Sequence, residues 1–500
     1  MGAQAGFCKW KSPVRPRCKC WKGRLVAKKH TGQHRMGHLE CLPPVHHMPR
    51  LHPMVSRLSF VVALFLAGGL LGCVLVPHEI AAVKQQLFGF PDSDAFSHGL
   101  RPWILAGLCA IPGISALFYA CSSTLDRYLV RQFLGVFGIC ISALFSIWLL
   151  VDLSDKVGDF RNAPSLVMAV LEFYLTSAPA ILLQLLPYGL LLSLIHCLGK
   201  CSANRELVSM IQAGRGIGRI CLPLVVAGAF CTLLATGLNY HWAPVAEGSQ
   251  DEILAKASGR QITDASKVMF RSPETQRLWM ISAFPPNYEL GKPLLGVEVT
   301  STSTSRKLLT RLTAREALWD RQHRRWTFFG ATEQTFRDGE APLFVEHPAP
   351  LVRADWPETP WQLIKPGLSA KHLGIPDLNG WLHANQHYQV FADPSPYLTQ
   401  WHYRWAFPFT CLVTVMLAAP LSIHFSRRGA GGGVFMAVVL SALMLLTSGI
   451  VLAFGESGLL TAPVAAWLPN AFFLLLGAGL FRRRISGKPL LGRWRRRRSG

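Results

Sequence analysis

Charged side chains are scarce in this sequence of 500 residues. Only 16% of the residues are charged and half are hydrophobic, whereas a typical globular chain carries about a quarter charged residues. This scarcity argues against a disordered chain, a coiled coil and an ordinary cytosolic enzyme. Acidic residues are the rarer kind of charge, since 28 of them oppose 51 lysines and arginines and leave a net charge of +23.

The excess of positive charge is confined to the two ends of the chain. Residues 1–57 contain 12 Lys or Arg against one acid, and residues 482–500 contain nine against none. The ends therefore supply 20 of the 23 net charges, and the rest of the chain is nearly neutral. We interpret residues 1–57 and 483–500 as basic cytoplasmic tails, the first of them disordered, and expect no nucleic-acid partner.

Cysteine is absent from residues 241–402, the longest polar stretch, although the whole chain has 13 cysteines. A secreted disulfide scaffold shows the opposite distribution. The stretch is 162 residues long, which is enough to bury a core of its own. We therefore expect it to fold without disulfides.

The sequence also lacks the common motifs of catalysis and cofactor binding. There is no Walker P-loop, no H-E-x-x-H and no G-x-S-x-G, so ATP binding by a P-loop is excluded. The glycine-rich segment 214–218 follows no strand, and Cys18, Cys20, His30 and His34 miss the usual zinc-finger spacing. We predict a protein that is not an enzyme, with no catalytic residue, no cofactor and no metal site.

Long apolar runs are what the sequence has in abundance. A helix needs about 20 apolar residues to cross the bilayer core, and eight runs qualify: 58–76, 103–121, 133–152, 172–198, 219–240, 404–424, 433–454 and 462–481. Buried helices of a soluble protein would carry charged faces, and these runs do not. We predict six core spans and, within residues 58–123, two additional transmembrane helices.

Lysine and arginine near the ends of these runs predict the orientation of the chain. With eight spans, the cations of 127–131, 200–219 and 427–428 all fall on the same side as both tails, which makes that side cytoplasmic. Residues 242–402 then lie outside the membrane. Their runs of β-branched and aromatic residues predict an all-β sandwich or jelly roll, with strands at 267–271, 278–284, 295–301 and 326–336 and a helix within 376–391.

A short amphipathic helix is predicted in the loop between the second and third core spans. Ser202 or Asn204 can cap it, Glu206 lies in its first turn, and Gly214 ends it. Leu207, Met210 and Ile211 have the spacing of one apolar face. A helix over 203–213 would lie along the cytoplasmic surface of the membrane, either as an interfacial loop or as a contact for a cytosolic partner.

Five segments together resemble the LptF/LptG family of lipopolysaccharide-export permeases. They are the opening LDRYLVRQF at 125–133, RELV…AG at 205–214, NY-x2-AP at 239–244, LTAR at 312–315 with Trp326, and WLPN at 467–470. The resemblance runs over about residues 124–482. The LDRY opening and the LNG segment that ends at Gly380 favour the G-type over the F-type subunit.

The resemblance implies a polytopic α-helical membrane protein with an inserted periplasmic jelly-roll-like domain. Core spans 1–3 would occupy residues 124–241, the β domain would occupy residues 242–402, and core spans 4–6 would occupy residues 403–482. The family's function implies the permease subunit of an ABC transporter that extracts lipopolysaccharide from the inner membrane of a Gram-negative cell, as part of outer-membrane biogenesis. The implied partners are a cytosolic ATPase dimer, a homologous second permease, a single-span periplasmic bridge component and lipopolysaccharide itself.

The same resemblance assigns candidate site residues. The segment that couples to the ATPase would comprise Arg205, Glu206, Leu207, Met210, Ala213 and Gly214. The basic residue that G-type members carry in the outer part of the first span is missing, because 147–151 is fully apolar. Lys156 and Arg161 are the nearest cations and the candidates for contact with lipid head groups.

Residues 1–123 lie outside the resemblance, and we expect them to be dispensable because they add an even number of spans. Two other functions are compatible with the sequence. One is a permease for another amphiphile, such as a lipoprotein. The other is a non-transporting scaffold anchored in the membrane, although it would not account for the cytoplasmic amphipathic helix.

Overall fold

A computed structural model describes residues 53–87, 95–160, 165–258, 265–272, 275–285, 292–303, 307–320, 322–337, 340–364, 369–385, 394–423 and 431–486. The predicted basic tails, including the Cys and His residues at 18–34, lie outside the described residues apart from short stretches at their inner ends. Arg161, Arg427 and Arg428 lie outside them too.

Fourteen helices are described, and eight helical segments are long and apolar enough to cross a membrane. The helices are α1 (Pro53–Leu87), α2 (Ala95–Gly99), α3 (Arg101–Cys121), α4 (Thr124–Phe160), α5 (Leu166–Ala203), α6 (Glu206–Gln212), α7 (Ile217–Tyr240), α8 (Trp242–Ser258), α9 (Pro360–Ile364), α10 (Ile375–Asn385), α11 (Ser395–Ala406), α12 (Thr410–Ser422), α13 (Gly431–Glu456) and α14 (Ala462–Ile485). Each of the eight predicted apolar runs overlaps one of these segments, and α11 and α12 form a single segment. The prediction of a polytopic helical protein is confirmed.

The membrane helices differ in how far they are buried. Within the most apolar 18 residues of each span, 67% of the residues are buried in α5 and 72% in the α11–α12 segment, whereas none are buried in α4. Leu190, Leu194 and Val415 are fully buried at the centre of the largest core cluster. Helices α5 and α12 thus form the middle of the bundle, and α4 presents an apolar surface to its surroundings.

The strands form one antiparallel sheet between α8 and α9, in which β1 to β6 are neighbours in chain order and β7 pairs with β5. They are β1 (Ala265–Arg271), β2 (Arg277–Phe284), β3 (Leu294–Thr302), β4 (Leu308–Asp320), β5 (Arg325–Thr335), β6 (Leu343–His347) and β7 (Leu351–Arg353). The prediction of an inserted β domain is confirmed, and helices α8, α9 and α10 also lie within the range predicted to be all-β. Four of these strands match runs predicted from composition.

One face of the sheet carries the core of the domain. Trp279 and Trp326 are fully buried with ring centres 5.1 Å apart, and Trp356 packs edge-on against Trp279. Leu363 and Ile364 of α9 cover the same cluster. Large aromatic side chains therefore supply by burial the stabilisation that a smaller secreted domain obtains from disulfides.

Helix α10 returns the chain to the membrane, as predicted for 376–391. Leu378 and Trp381 are buried on one side of it, while Leu382 is half-buried and Tyr388 lies outside the described residues.

The two additional helices, α1 and α3, pack along each other, and α3 also packs on α7. A Cβ atom at Gly68 would overlap the carbonyl oxygen of Cys109, so glycine allows α1 and α3 to approach closely. The short helix α2 joins this hairpin to the core. The hydroxyl of Tyr240 donates to the carbonyl of Ser97 over 2.9 Å, and Asn379 Nδ2 donates to Ser97 Oγ over 2.9 Å.

Buried ionisable side chains reinforce the same junction. His98 Nε2 lies 3.6 Å from Asp377 Oδ1, and His241 Nδ1 lies 3.9 Å from Asp377 Oδ2. Within the hairpin, Arg101 forms an ion pair of 2.5 Å with Glu79. All five residues are at most 9% exposed. The hairpin is therefore docked through polar contacts, and without it the polar groups of the core at this junction would lose their partners. This argues against the expectation that residues 1–123 are dispensable.

Candidate functional site

The amphipathic helix predicted at 203–213 is α6, which spans Glu206–Gln212. It begins later than expected because α5 continues to Ala203, so that Ser202 lies inside α5 and Asn204 ends it. Arg205 occupies the N-cap with a left-handed φ of 59°, and no side chain caps the helix. The predicted capping by Ser202 or Asn204 is wrong.

Burial divides α6 into an inner and an outer face. Leu207 and Met210 are 2% and 6% exposed and join the core cluster of the membrane helices, as the predicted apolar face requires. Ile211 was assigned to the same face but is 36% exposed. Arg205, Ala213 and Gly214 are exposed as well. The helix is therefore anchored by two side chains and offers Ile211 outward.

Gly214 ends α6 as predicted, in a Schellman arrangement. Its φ is +87°, a conformation that favours glycine. The amide of Gly214 donates to the carbonyl of Ile211 over 2.9 Å, and the amide of Arg215 donates to the carbonyl of Met210 over 3.2 Å. The turn directs the chain, with Arg215, back towards α4.

Arg215 and Arg219 both pair with Asp126, in the LDRY motif at the start of α4. Arg215 Nη1 lies 2.9 Å from Asp126 Oδ1, and Arg219 Nη2 lies 3.0 Å from Asp126 Oδ2. Arg215 Nη2 also donates to Ser123 Oγ over 2.9 Å. Asp126 is 3% exposed, so two guanidinium groups compensate a buried carboxylate.

Glu206, at the other end of α6, is also held by α4. The hydroxyl of Tyr128 donates to Glu206 Oε2 over 3.0 Å, and Asn204 Nδ2 donates to Oε1 over 3.1 Å. Each carboxylate oxygen has further acceptor capacity, so an external donor can still bind. Glu206 thus joins α6 to α4, in addition to its predicted part in the contact with a cytosolic partner.

Asp126 and Tyr128 together clamp both ends of α6 to one membrane helix. Asp126 has no role among the predictions from sequence, in which the LDRY motif indicates only the family resemblance. The available signal was charge: a lone acid at the end of an apolar run, predicted to lie on the same side as Arg215 and Arg219.

The candidate head-group residues are placed less favourably. Lys156 Nζ lies 3.0 Å from Asp152 Oδ1 and 4.5 Å from the centre of the Phe173 ring, and the other oxygen of Asp152 accepts a hydrogen bond from Tyr174. The charge of Lys156 is therefore matched within the chain, and Arg161 lies outside the described residues.

In the described part of the chain no cluster of metal-ligand side chains is found. The fold defines a polytopic helical membrane protein with a β domain inserted between two groups of spans.

The family model for the lipopolysaccharide export system permease LptF/LptG matches residues 127–483. The chain belongs to this family, whose members are transport components. No curated protein matches the chain. The matched range begins at Arg127, so α1 to α3 and Asp126 precede it.

Proposed function

We propose that this protein is a permease subunit of an ABC transporter that extracts lipopolysaccharide from the inner membrane and passes it to a periplasmic bridge. Family membership, the polytopic fold and the inserted β domain support this proposal. Extraction of a lipid costs about 0.8 kcal/mol for each CH₂ removed from the bilayer. Because the sequence has no P-loop, a separate cytosolic ATPase dimer would supply the energy.

The clamp on α6 is the observation that carries the proposal. Tyr128 holds the first turn of α6, and Asp126 holds the segment that follows its last turn. A force applied to α6 is therefore transmitted to α4, the helix with the least burial in its apolar stretch. We propose that α6 is the coupling helix and that α4 moves against lipid or against the homologous second permease.

The roles of the candidate coupling residues divide by burial. Leu207 and Met210 anchor the helix, whereas Arg205, Ala213 and Gly214 lie on the exposed side with Ile211. Glu206 stands between these groups, because its carboxylate binds Tyr128 and retains acceptor capacity. This arrangement fits a helix seated in a groove of a cytosolic partner.

The orientation in the proposal has both termini in the cytoplasm and the β domain in the periplasm, and it rests on the distribution of Lys and Arg. At the outer end of α4, a lipid phosphate would have to compete with Asp152 for Lys156.

The test is purification of the full chain in mild detergent from cells that express it at native levels. We expect it to co-purify with a related permease and with two copies of a P-loop ATPase. The ATPase activity of this complex should rise on addition of lipopolysaccharide. Recovery of the chain alone would favour the scaffold, and stimulation only by a lipoprotein would favour the alternative permease.

Ile211→Asp sharpens this test. Ile211 is exposed, so the change leaves the fold intact while placing a charge in the proposed contact, and the ATPase should be lost from the purified complex. Leu459→Asp is the matched control, because Leu459 is 74% exposed in the α13–α14 loop at the opposite end of the helices. Equal retention of the ATPase by both variants contradicts the coupling role.

A further inference from the structure

A cavity of about 800 Å³ lies between the additional hairpin and the core. Its walls come from α1, α3, α4 and α7, and its body is apolar, with Phe60, Phe118 and Phe230 among the lining side chains. Phe118 and Phe230 meet edge to face with ring centres 5.5 Å apart. Phe60 and Phe118 are more than half exposed, so this side of the cavity faces the surroundings of the membrane helices.

One end of the cavity is polar and positively charged. Asp126, Arg131 and Arg219 line it, together with the hydroxyls of Ser122 and Ser123. The charge of Asp126 is matched by Arg219 and Arg215, whereas Arg131 pairs with no carboxylate in the described part of the chain. The lining side chains Asp126, Arg131 and Arg219 leave a net charge of +1, and Arg215, which pairs with Asp126 without lining the cavity, adds one more.

The depth of the polar end is fixed by the helices themselves. Helix α3 ends at Cys121 and α4 begins at Thr124, so the arginines stand where the apolar segments stop. In a bilayer this is the level of the head groups, and cations there attract anionic lipid. The volume is within the range of about 300–1,000 Å³ typical of sites for one small ligand.

We propose that this cavity binds a single anionic glycerophospholipid, with its head group at Arg131 and Arg219 and its acyl chains along Phe118 and Phe230. The lipid comes from the leaflet on the side of α6. The site needs α1 and α3, which precede the part of the chain that matches the family. It joins the hairpin to the core beside the ion pairs that hold α6.

The proposal is tested by native mass spectrometry of the full chain in mild detergent, titrated with phosphatidylglycerol and with phosphatidylcholine of the same chain length. We expect one phosphatidylglycerol to bind at least about fivefold more tightly than phosphatidylcholine, since one arginine near a head group contributes about this factor. Arg131→Ala should abolish the preference. Arg127→Ala is the matched control, because Arg127 bonds to Thr124 and does not line the cavity.

A second pair of variants tests the place of the acyl chains. Ala227→Phe fills the cavity from α7 and should weaken binding of both lipids, whereas Ala229→Phe, at an exposed position outside the cavity, should not. Equal affinity of the wild-type chain for the two lipids overturns the proposal, and so does an equal loss in the Arg127 and Arg131 variants, which would indicate annular lipid only. If Ala227→Phe does not fold, the comparison of the Arg131 and Arg127 variants decides the test. None of these measurements involves the ATPase, so their outcome is independent of the transport function.

Discussion

At the scale of single residues, Asp126 is the side chain on which the clamp depends. Asp126→Asn keeps the shape and removes the charge that two arginines share. Loss of one partner from a buried pair costs about 3–5 kcal/mol, but Arg215 and Arg219 are partly exposed, which lowers the expected loss to about 1–3 kcal/mol. We expect a lower melting temperature and weaker lipopolysaccharide-stimulated ATPase activity. Asp155→Asn, at an exposed position of α4, should change neither, and an equal effect there would show that the clamp is unimportant.

Two variants separate the inner and outer roles of Glu206. Tyr128→Phe removes the hydrogen bond within the chain and leaves the carboxylate, at a cost of about 0.5–1.5 kcal/mol. In the proposed complex with the ATPase, Glu206→Ala also removes a desolvated carboxylate contact, worth about 2–5 kcal/mol. We expect Glu206→Ala to release the ATPase during purification while Tyr128→Phe retains it with reduced stimulated activity. If the two variants behave alike, Glu206 acts only within the chain.

Residues at the candidate site were predictable to different degrees. Gly214 was predictable because a left-handed turn after an apolar face needs glycine at that position. The contacts of Asp126 were not, since 89 and 93 residues separate it from Arg215 and Arg219 and spacing along a chain does not say which helices meet. The capping prediction was wrong because the apolar packing of α5 extends its last turn past Ser202.

At the scale of elements, apolar runs predicted which helices exist but not where they end. Helix α4 has 37 residues, whereas its apolar run has 20, because polar residues at both ends continue the helix beyond the apolar stretch. Strand β4 was not predicted from composition, since polar residues at exposed positions, Thr313 and Arg315, alternate with the buried Leu312 and Ala314. Only the resemblance of LTAR to a segment of the family indicated that this part of the chain belongs to the β domain.

The β domain is an element that should fold by itself. Residues 259–369 contain every strand and α9 but no cysteine, so we expect soluble, folded protein from a reducing cytosol, with a β-rich far-ultraviolet and a structured near-ultraviolet circular dichroism spectrum. Trp326→Ala is the destabilised comparison, because deleting a buried Trp costs about 3–5 kcal/mol and the indole also donates to the Glu358 carbonyl over 2.7 Å. Folding only in an oxidising compartment would refute the expectation.

At the scale of the whole molecule, the hairpin and the core depend on each other. A chain that starts at Thr124 loses Ser97 and His98, and it leaves Tyr240, Asn379 and Asp377 without these partners. Unpaired buried polar groups cost about 1–3 kcal/mol each, so the truncated chain should reach the membrane at reduced levels and complement loss of the permease poorly. Normal levels with full complementation would show that this junction tolerates removal of the hairpin.

The same junction predicts a dependence on pH. Burial, with Arg101 and His98 nearby, holds the pKa of His241 well below its usual value, even though Asp377 lies 3.9 Å away. The unfolded chain takes up this proton below about pH 6.5 and the folded chain does not, so the stability from this group is complete above that pH and is lost as the pH falls. The melting temperature of the full chain should drop between pH 7.5 and 5.5, and His241→Gln should reduce the drop. An unchanged pH profile in the variant would contradict this role.

The docking of the hairpin also limits how the protein can be recombined. A hairpin moved onto a chain without equivalents of Tyr240, His241, Asp377 and Asn379 would bury Ser97 and His98 without the donors and the carboxylate that meet them here. The graft should succeed only when those four residues are transferred with it. Modular exchange of parts, which short exposed linkers normally permit, therefore requires transfer of these junction residues together with the hairpin.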